Sequence, residues 1–223
     1  MTPTADDFIA PPCDEQIDIL FQDEHILLIN KPSGLLSLSG KNPLNKDSVH
    51  YRLVQDFPSA TLVHRLDFGT SGIMLVALNK DVNAVLMRQF QARTIVKEYI
   101  AILNGSLSDE SGLIELPIAK DIEHFPLQKV CHLTGKSAVS HYQVCGREVA
   151  PDLTRVRFTP LTGRTHQLRI HSQQLGHPII GCDLYGTIET KALAPRLMLH
   201  ANTIEFVHPV TGIKTVGVSP CPF

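Results

Sequence analysis

Thr61–Leu78 reads TLVHRLDFGTSGIMLVAL, and its pattern decides the fold class. An apolar start leads into Asp67-Phe68-Gly69-Thr70-Ser71-Gly72, a run of breaker and hydroxyl residues. Ile73–Leu78 then supplies an apolar stretch of strand length, so strand, turn and strand are predicted over 61–78. A helix should start near Asp81, which can cap it, because Val82, Val85, Leu86 and Phe90 recur at helical spacing. Two strands joined by a turn, with a helix only afterwards, break the regular β-α alternation of a doubly wound parallel sheet.

Outward from this stretch the pattern persists. Ile17, Ile19 and Phe21 alternate, Asp23-Glu24 can turn, and Ile26–Ile29 is apolar, which reads as a hairpin. Asn30-Lys31-Pro32-Ser33-Gly34 ends it, and a short helix is predicted over Asp47–Asp56, stopped before Pro58. Thr94–Leu103 is β-branched and aromatic and reads as a strand. Further strands are expected at 137–145, 153–159, 197–207 and 213–218, with a helix at about 165–175 ended by Gly176-His177-Pro178. The expected class is α+β, a mixed and largely antiparallel β-sheet with flanking helices. Residues 1–15 read as a flexible leader and 16–223 as one domain, since no repeat, low-complexity segment or linker interrupts them.

The 223 residues are 43% hydrophobic and 19% charged, which excludes disordered, collagen-like and coiled-coil chains. No apolar run approaches the roughly 18 residues of a membrane helix. Met1–Pro12 has neither the positive charge nor the apolar core of a signal peptide, so a cytoplasmic protein without a membrane partner is expected. The five cysteines include no Cys-x-x-Cys pair and read as small reduced residues. Charge is uneven: residues 1–30 hold seven acids and no Lys or Arg, whereas 124–182 hold seven Lys/Arg, six His and only Glu148 and Asp152 as acids. That bias marks either a polyanion-binding face or a plain solvated one.

Three clusters can carry chemistry. Asp67, on a tight turn rich in glycine and hydroxyls, is either a turn cap or a presented carboxylate. The run His64–Gly69 joins two kinase-like signatures, but no Gly-x-Gly-x-x-Gly exists in the chain and a kinase is excluded. Thr162-Gly163-Arg164-Thr165-His166-Gln167-Leu168-Arg169-Ile170-His171 brings two arginines, two histidines and a glutamine into a helix without an acid. His166 and His171 fall about 140° apart on that helix, which is poor geometry for a shared metal. Arginine forks there suit phosphates or a buried carboxylate equally. Lys97-Glu98-Tyr99 places a tyrosine on a strand, either as core or as a ring that can stack on a base and handle a proton.

Taken in order, His64-Arg65-Leu66-Asp67 with Thr70-Ser71-Gly72, Lys97-Glu98-Tyr99, Gly163–His171, Asn30–Gly34, and Leu175–Ile179 with Gly181, Asp183, Tyr185 and Gly186 resemble the RluA family of RNA pseudouridine synthases. Among its members the chain is most similar to a short form without the N-terminal S4 RNA-binding domain, for which residues 1–15 are too few. The resemblance implies a pseudouridine synthase fold with a central RNA-binding cleft. It implies isomerisation of uridine in a stem-loop of 23S rRNA and in the anticodon stem-loop of tRNAs with no cofactor or metal, and no protein partner is implied. A monomer is expected, because a cleft that wraps an RNA stem-loop needs no second subunit. Asp67 matches the catalytic aspartate, Tyr99 the active-site tyrosine and Arg169 the arginine that pairs with the aspartate. Arg65 matches the residue that enters the RNA when the target base leaves its stack, and His64, Arg164 and His166 are further RNA-contact candidates. Phe68-Gly69 departs from the relatives at a variable position, and no function is attached to it. The alternatives are a non-catalytic RNA-binding or ribosome-assembly protein using the same basic face, and a nucleoside hydrolase that would release free uracil.

Overall fold

A computed structural model describes residues 8–223. In chain order the elements are β1 (Asp18–Gln22), β2 (Ile26–Lys31), α1 (Val49–Asp56), β3 (Thr61–Leu62), β4 (Ser71–Ala77), α2 (Lys80–Ala92), β5 (Val96–Asn104), β6 (Ser111–Glu115), β7 (Ile118–Lys120), β8 (Gln128–Val130), β9 (Val139–Val149), β10 (Asp152–Pro160), α3 (Gln167–Gln174), α4 (Ile188–Ala192), β11 (Leu199–Val207) and β12 (Lys214–Val218). The chain forms two compact units. Of the described residues, one contains 8–97 with His200–Pro222, the other Glu98–Leu199 with Phe223. The backbone passes from one to the other inside β5 and inside β11.

In the first unit β2 pairs with β1 and β4, β3 pairs with β4, and β12 with β11, all antiparallel, whereas β4 takes β11 in parallel. Ile26–Ile29 and Ile73–Ala77 are buried throughout, which is why both read as continuous apolar runs without alternation. Val82 and Leu86 form the buried stripe of α2. Its cap is Asn79, whose side chain accepts from Val82 N–H, and Asp81 sits within the first turn, where its charge complements the helix dipole. Likewise Ser48 caps α1, accepting from Tyr51 N–H. Gly72 adopts φ +117, and a Cβ there would lie 2.2 Å from Ala201 O. Only glycine lets β4 and β11 approach this closely.

The second unit runs β5, β10, β9, β6, all antiparallel, with β7 and β8 as a separate ribbon. Its core gathers Leu103, Ile114, Phe158, Ile170, Ile179 and Leu197. Strands β6, β7 and β8 and the one-turn α4 lie outside the elements predicted from sequence, being too short to show a period. The expected mixed, largely antiparallel α+β class is what the structure shows. Residues 1–7 of the expected leader lie outside the described residues. No helix among the described residues is long and apolar enough to cross a membrane.

Candidate active site

The Asp67 turn is held through its backbone. Ser37 Oγ donates to Leu66 O at 2.7 Å and accepts from Leu66 N–H at 3.1 Å. Ser33 Oγ donates to Gly69 O at 2.7 Å, and Gly34 N–H donates to Phe68 O at 2.9 Å. Lys31, 0% exposed, reaches the same carbonyl: its Nζ donates to Phe68 O at 3.2 Å, Pro32 O at 2.8 Å and Leu35 O at 2.7 Å. An ammonium buried this completely is tolerable because carbonyl oxygens replace its water. The Asn30–Gly34 segment, which the sequence marked as the end of a hairpin and as part of the family resemblance, is therefore the clamp under the turn. It fixes the backbone that carries the half-buried Asp67.

The hydroxyls and histidines nearby are divided between fold and surface. Ser71 Oγ bonds His200 Nδ1 at 2.9 Å, and His200 Nε2 lies 3.0 Å from Ser219 O. A carbonyl only accepts, so Nε2 carries the proton and Nδ1 accepts from the serine. His64 Nε2 accepts Leu75 N–H at 3.0 Å, and its ring stacks on Phe90 with centroids 5.1 Å apart. Burial, with the positive charge of Lys97 added, pushes its pKa down to about 3. The ring is thus neutral and occupied on one nitrogen and one face by the protein itself. Arg65, by contrast, is exposed.

In the second unit Tyr99 lies half-buried on β5 opposite Phe158 of β10. Arg169, 4% exposed, projects from α3. Its Nε and Nη2 each donate to Cys182 Sγ at 3.3 Å, Nη2 also pairs with Asp183 Oδ1, and the guanidinium sits 5.3 Å from the Tyr185 ring centre. Tyr185 Oη accepts Gln128 N–H at 2.8 Å and shares a 2.7 Å hydrogen bond with His166 Nδ1. His166 adopts φ +57 at the start of α3, a left-handed conformation costly for a non-glycine residue. The structure therefore brings Arg169, His166, Cys182, Asp183 and Tyr185 together, while Asp67 and Arg65 share the turn of the other unit.

Side chains lock α3 in place. Gln167 Oε1 accepts from Thr162 Oγ1 at 2.7 Å and Arg164 N–H at 2.9 Å, while its Nε2 donates to Val139 O at 3.0 Å and Ser140 Oγ at 2.9 Å. His171 Nδ1 meets Ser140 Oγ at 3.0 Å, and burial pushes the pKa of this imidazole down to about 4. Arg164 Nε–H donates to Ser137 O at 2.9 Å. Much of the positive charge of 124–182 is matched by acids outside that window: Arg147 pairs with Glu110 at 2.7 Å, Lys129 with Asp121 at 3.1 Å, Arg157 with Glu98 at 3.9 Å, and Arg169 with Asp183. Sequence reasoning gave no role to Lys31, Cys182, Asp183 or Tyr185. The signals for the first were a lysine closing an otherwise apolar strand and its place in the Asn30–Gly34 segment of the family resemblance.

Residues 25–174 match the family described as RNA pseudouridylate synthase. A dual-specificity RNA pseudouridine synthase RluA of Yersinia pestis is 50% identical over 194 residues, covering 87% of this chain and 94% of its own. The protein of the same name from Escherichia coli strain K12 is 46% identical over 214 residues, covering 96% and 97%. Among solved structures, human RNA pseudouridylate synthase domain containing 1 matches with TM-score 0.79 and 29% identity over 96% of this chain and 86% of its own. Human RNA pseudouridylate synthase domain containing 4 gives 0.71 and 26%, over 92% and 88%.

Proposed function

The chain belongs to the RNA pseudouridylate synthase family, and from that premise we propose that it isomerises specific uridines in a stem-loop of 23S rRNA and in the anticodon stem-loop of tRNAs, with Asp67 as the reacting carboxylate. The observation that supports Asp67 is the clamp of Lys31, Ser33, Gly34 and Ser37, which satisfies the backbone of its turn. A side chain on so constrained a turn is pre-positioned for chemistry.

The reaction breaks N1–C1′, turns the detached uracil and forms C5–C1′; the C5 proton is lost and N1 regains one. A carboxylate can act as nucleophile or as base in such a sequence. In this reading Arg169 is the arginine that pairs with this carboxylate, a fork suited to two parallel hydrogen bonds. Tyr99 stacks under the uracil and assists removal of the C5 proton. The target base has to leave its stack, at a cost of a few kcal/mol, and the exposed Arg65 fills the space it vacates. We further propose that the protein acts as a cytoplasmic monomer without a metal or cofactor.

The test is tritium release from C5-labelled uridine in an unmodified tRNA transcript and in a 23S rRNA stem-loop. Release at about one equivalent per modified site is expected. RNA bound by the protein without release from either substrate would leave a binding protein instead, and free uracil among the products would indicate a hydrolase.

A further inference from the structure

The segment before β1 is tied to the first unit. Ala10 N–H donates to Asn45 Oδ1 at 2.8 Å, and Asn45 Nδ2 donates to Phe8 O at 2.5 Å. Arg52, paired with Asp47, donates to Cys13 O at 2.5 Å and Glu15 O at 2.6 Å. These bonds set the Phe8 ring edge-on against Phe68, with centroids 5.6 Å apart and planes at 79°. Phe68 directly follows Asp67, and its carbonyl is the one clamped by Lys31 and Gly34. Phe8 nevertheless stays 47% exposed and Phe68 is only half-buried.

Two aromatic rings thus meet while both remain partly open to solvent, and one of them, Phe68, follows the proposed reacting carboxylate on the turn that also carries the exposed cation Arg65. Aromatic rings near positive charge are how proteins grip unstacked bases, because every base has a face to stack. The pair is too small for a protein partner, which needs roughly 800 Å² on each side. We propose that Phe8 and Phe68 form a stacking platform for a nucleobase of the RNA loop near the target uridine, making residues 8–15 part of the substrate site. This inference rests on the function proposed above.

The test measures binding of the tRNA anticodon stem-loop by fluorescence anisotropy, with tritium release followed in parallel on the same proteins. Phe8→Leu keeps apolar packing but removes the stacking face, and should raise Kd about tenfold; Phe8→Tyr should restore most of the loss. An abasic residue moved through the loop should weaken binding by the parent protein at one position, and at that position Phe8→Leu should add no further loss. The proposal is overturned if Phe8→Leu and Phe68→Leu bind like the parent, or if no abasic position removes the effect of Phe8→Leu. Failure of the proposed function is read separately, as absence of tritium release by the parent protein.

Discussion

The Asp67 turn and the Arg169 helix solve opposite problems. At the turn the protein grips the main chain: Lys31, Ser33, Gly34 and Ser37 bond the backbone of Leu66–Gly69. On α3 it grips side chains: Gln167 ties the helix to Thr162, Val139 and Ser140, and Arg169 is itself seated on Cys182, Asp183 and Tyr185. A turn has unpaired backbone groups that must be satisfied, so satisfying them also positions what it carries. A helix has already satisfied its backbone, so only side chains can place it.

That contrast can be broken at either end. Lys31→Met removes the ammonium that serves three carbonyls and should cost about 3 kcal/mol or more of stability, read by urea unfolding; a loss below about 1 kcal/mol would dissolve the clamp. Gln167→Leu should cost about 2 kcal/mol, since hydrogen-bonding partners at Thr162, Val139 and Ser140 lose their mate.

Acid sharpens the comparison. His64 and His171 have folded pKa values near 3 and 4, below the ordinary 6.5. The unfolded chain takes up protons below pH 6.5 that the folded chain refuses. Stability from these groups is therefore complete above that pH and is lost progressively as pH falls toward the folded values. A loss of about 1 kcal/mol for each imidazole, about 2–3 kcal/mol for the two, is expected between pH 7 and 5.5. Replacing His64 or His171 in turn by Asn identifies which unit yields first, as the variant with the flatter profile. The smallest effect expected is for Cys182→Ala, which unseats one side of the Arg169 fork: turnover should fall about threefold, with partial rescue by Cys182→Ser.

Much of this was legible in the sequence, for physical reasons. Ile26–Ile29 and Ile73–Leu78 announced buried strands, Val82–Phe90 a helix, and the glycines and hydroxyls around Asp67 a turn. Strands of three residues such as Ile118–Lys120 and Gln128–Val130 carry no period to detect, and one turn of helix at Ile188–Ala192 carries little more. The cap of α2 fell on Asn79 instead of Asp81 because capping requires an extended residue just ahead of the helix. Charge along the chain overstated free charge in space, since Glu98, Glu110, Asp121 and Asp183 neutralise arginines and a lysine far from them in sequence or just beyond the window. Nothing local could reveal that Lys31 serves Phe68, 37 residues away.

The most direct test of the account is single-turnover tritium release by Asp67→Asn, with the unfolding midpoint measured alongside to establish that the variant folds. The amide keeps the shape of the side chain and removes the charge, so the rate should fall about 10³-fold or more. A folded Asn variant that releases tritium within about tenfold of the parent rate would contradict the role given to this carboxylate.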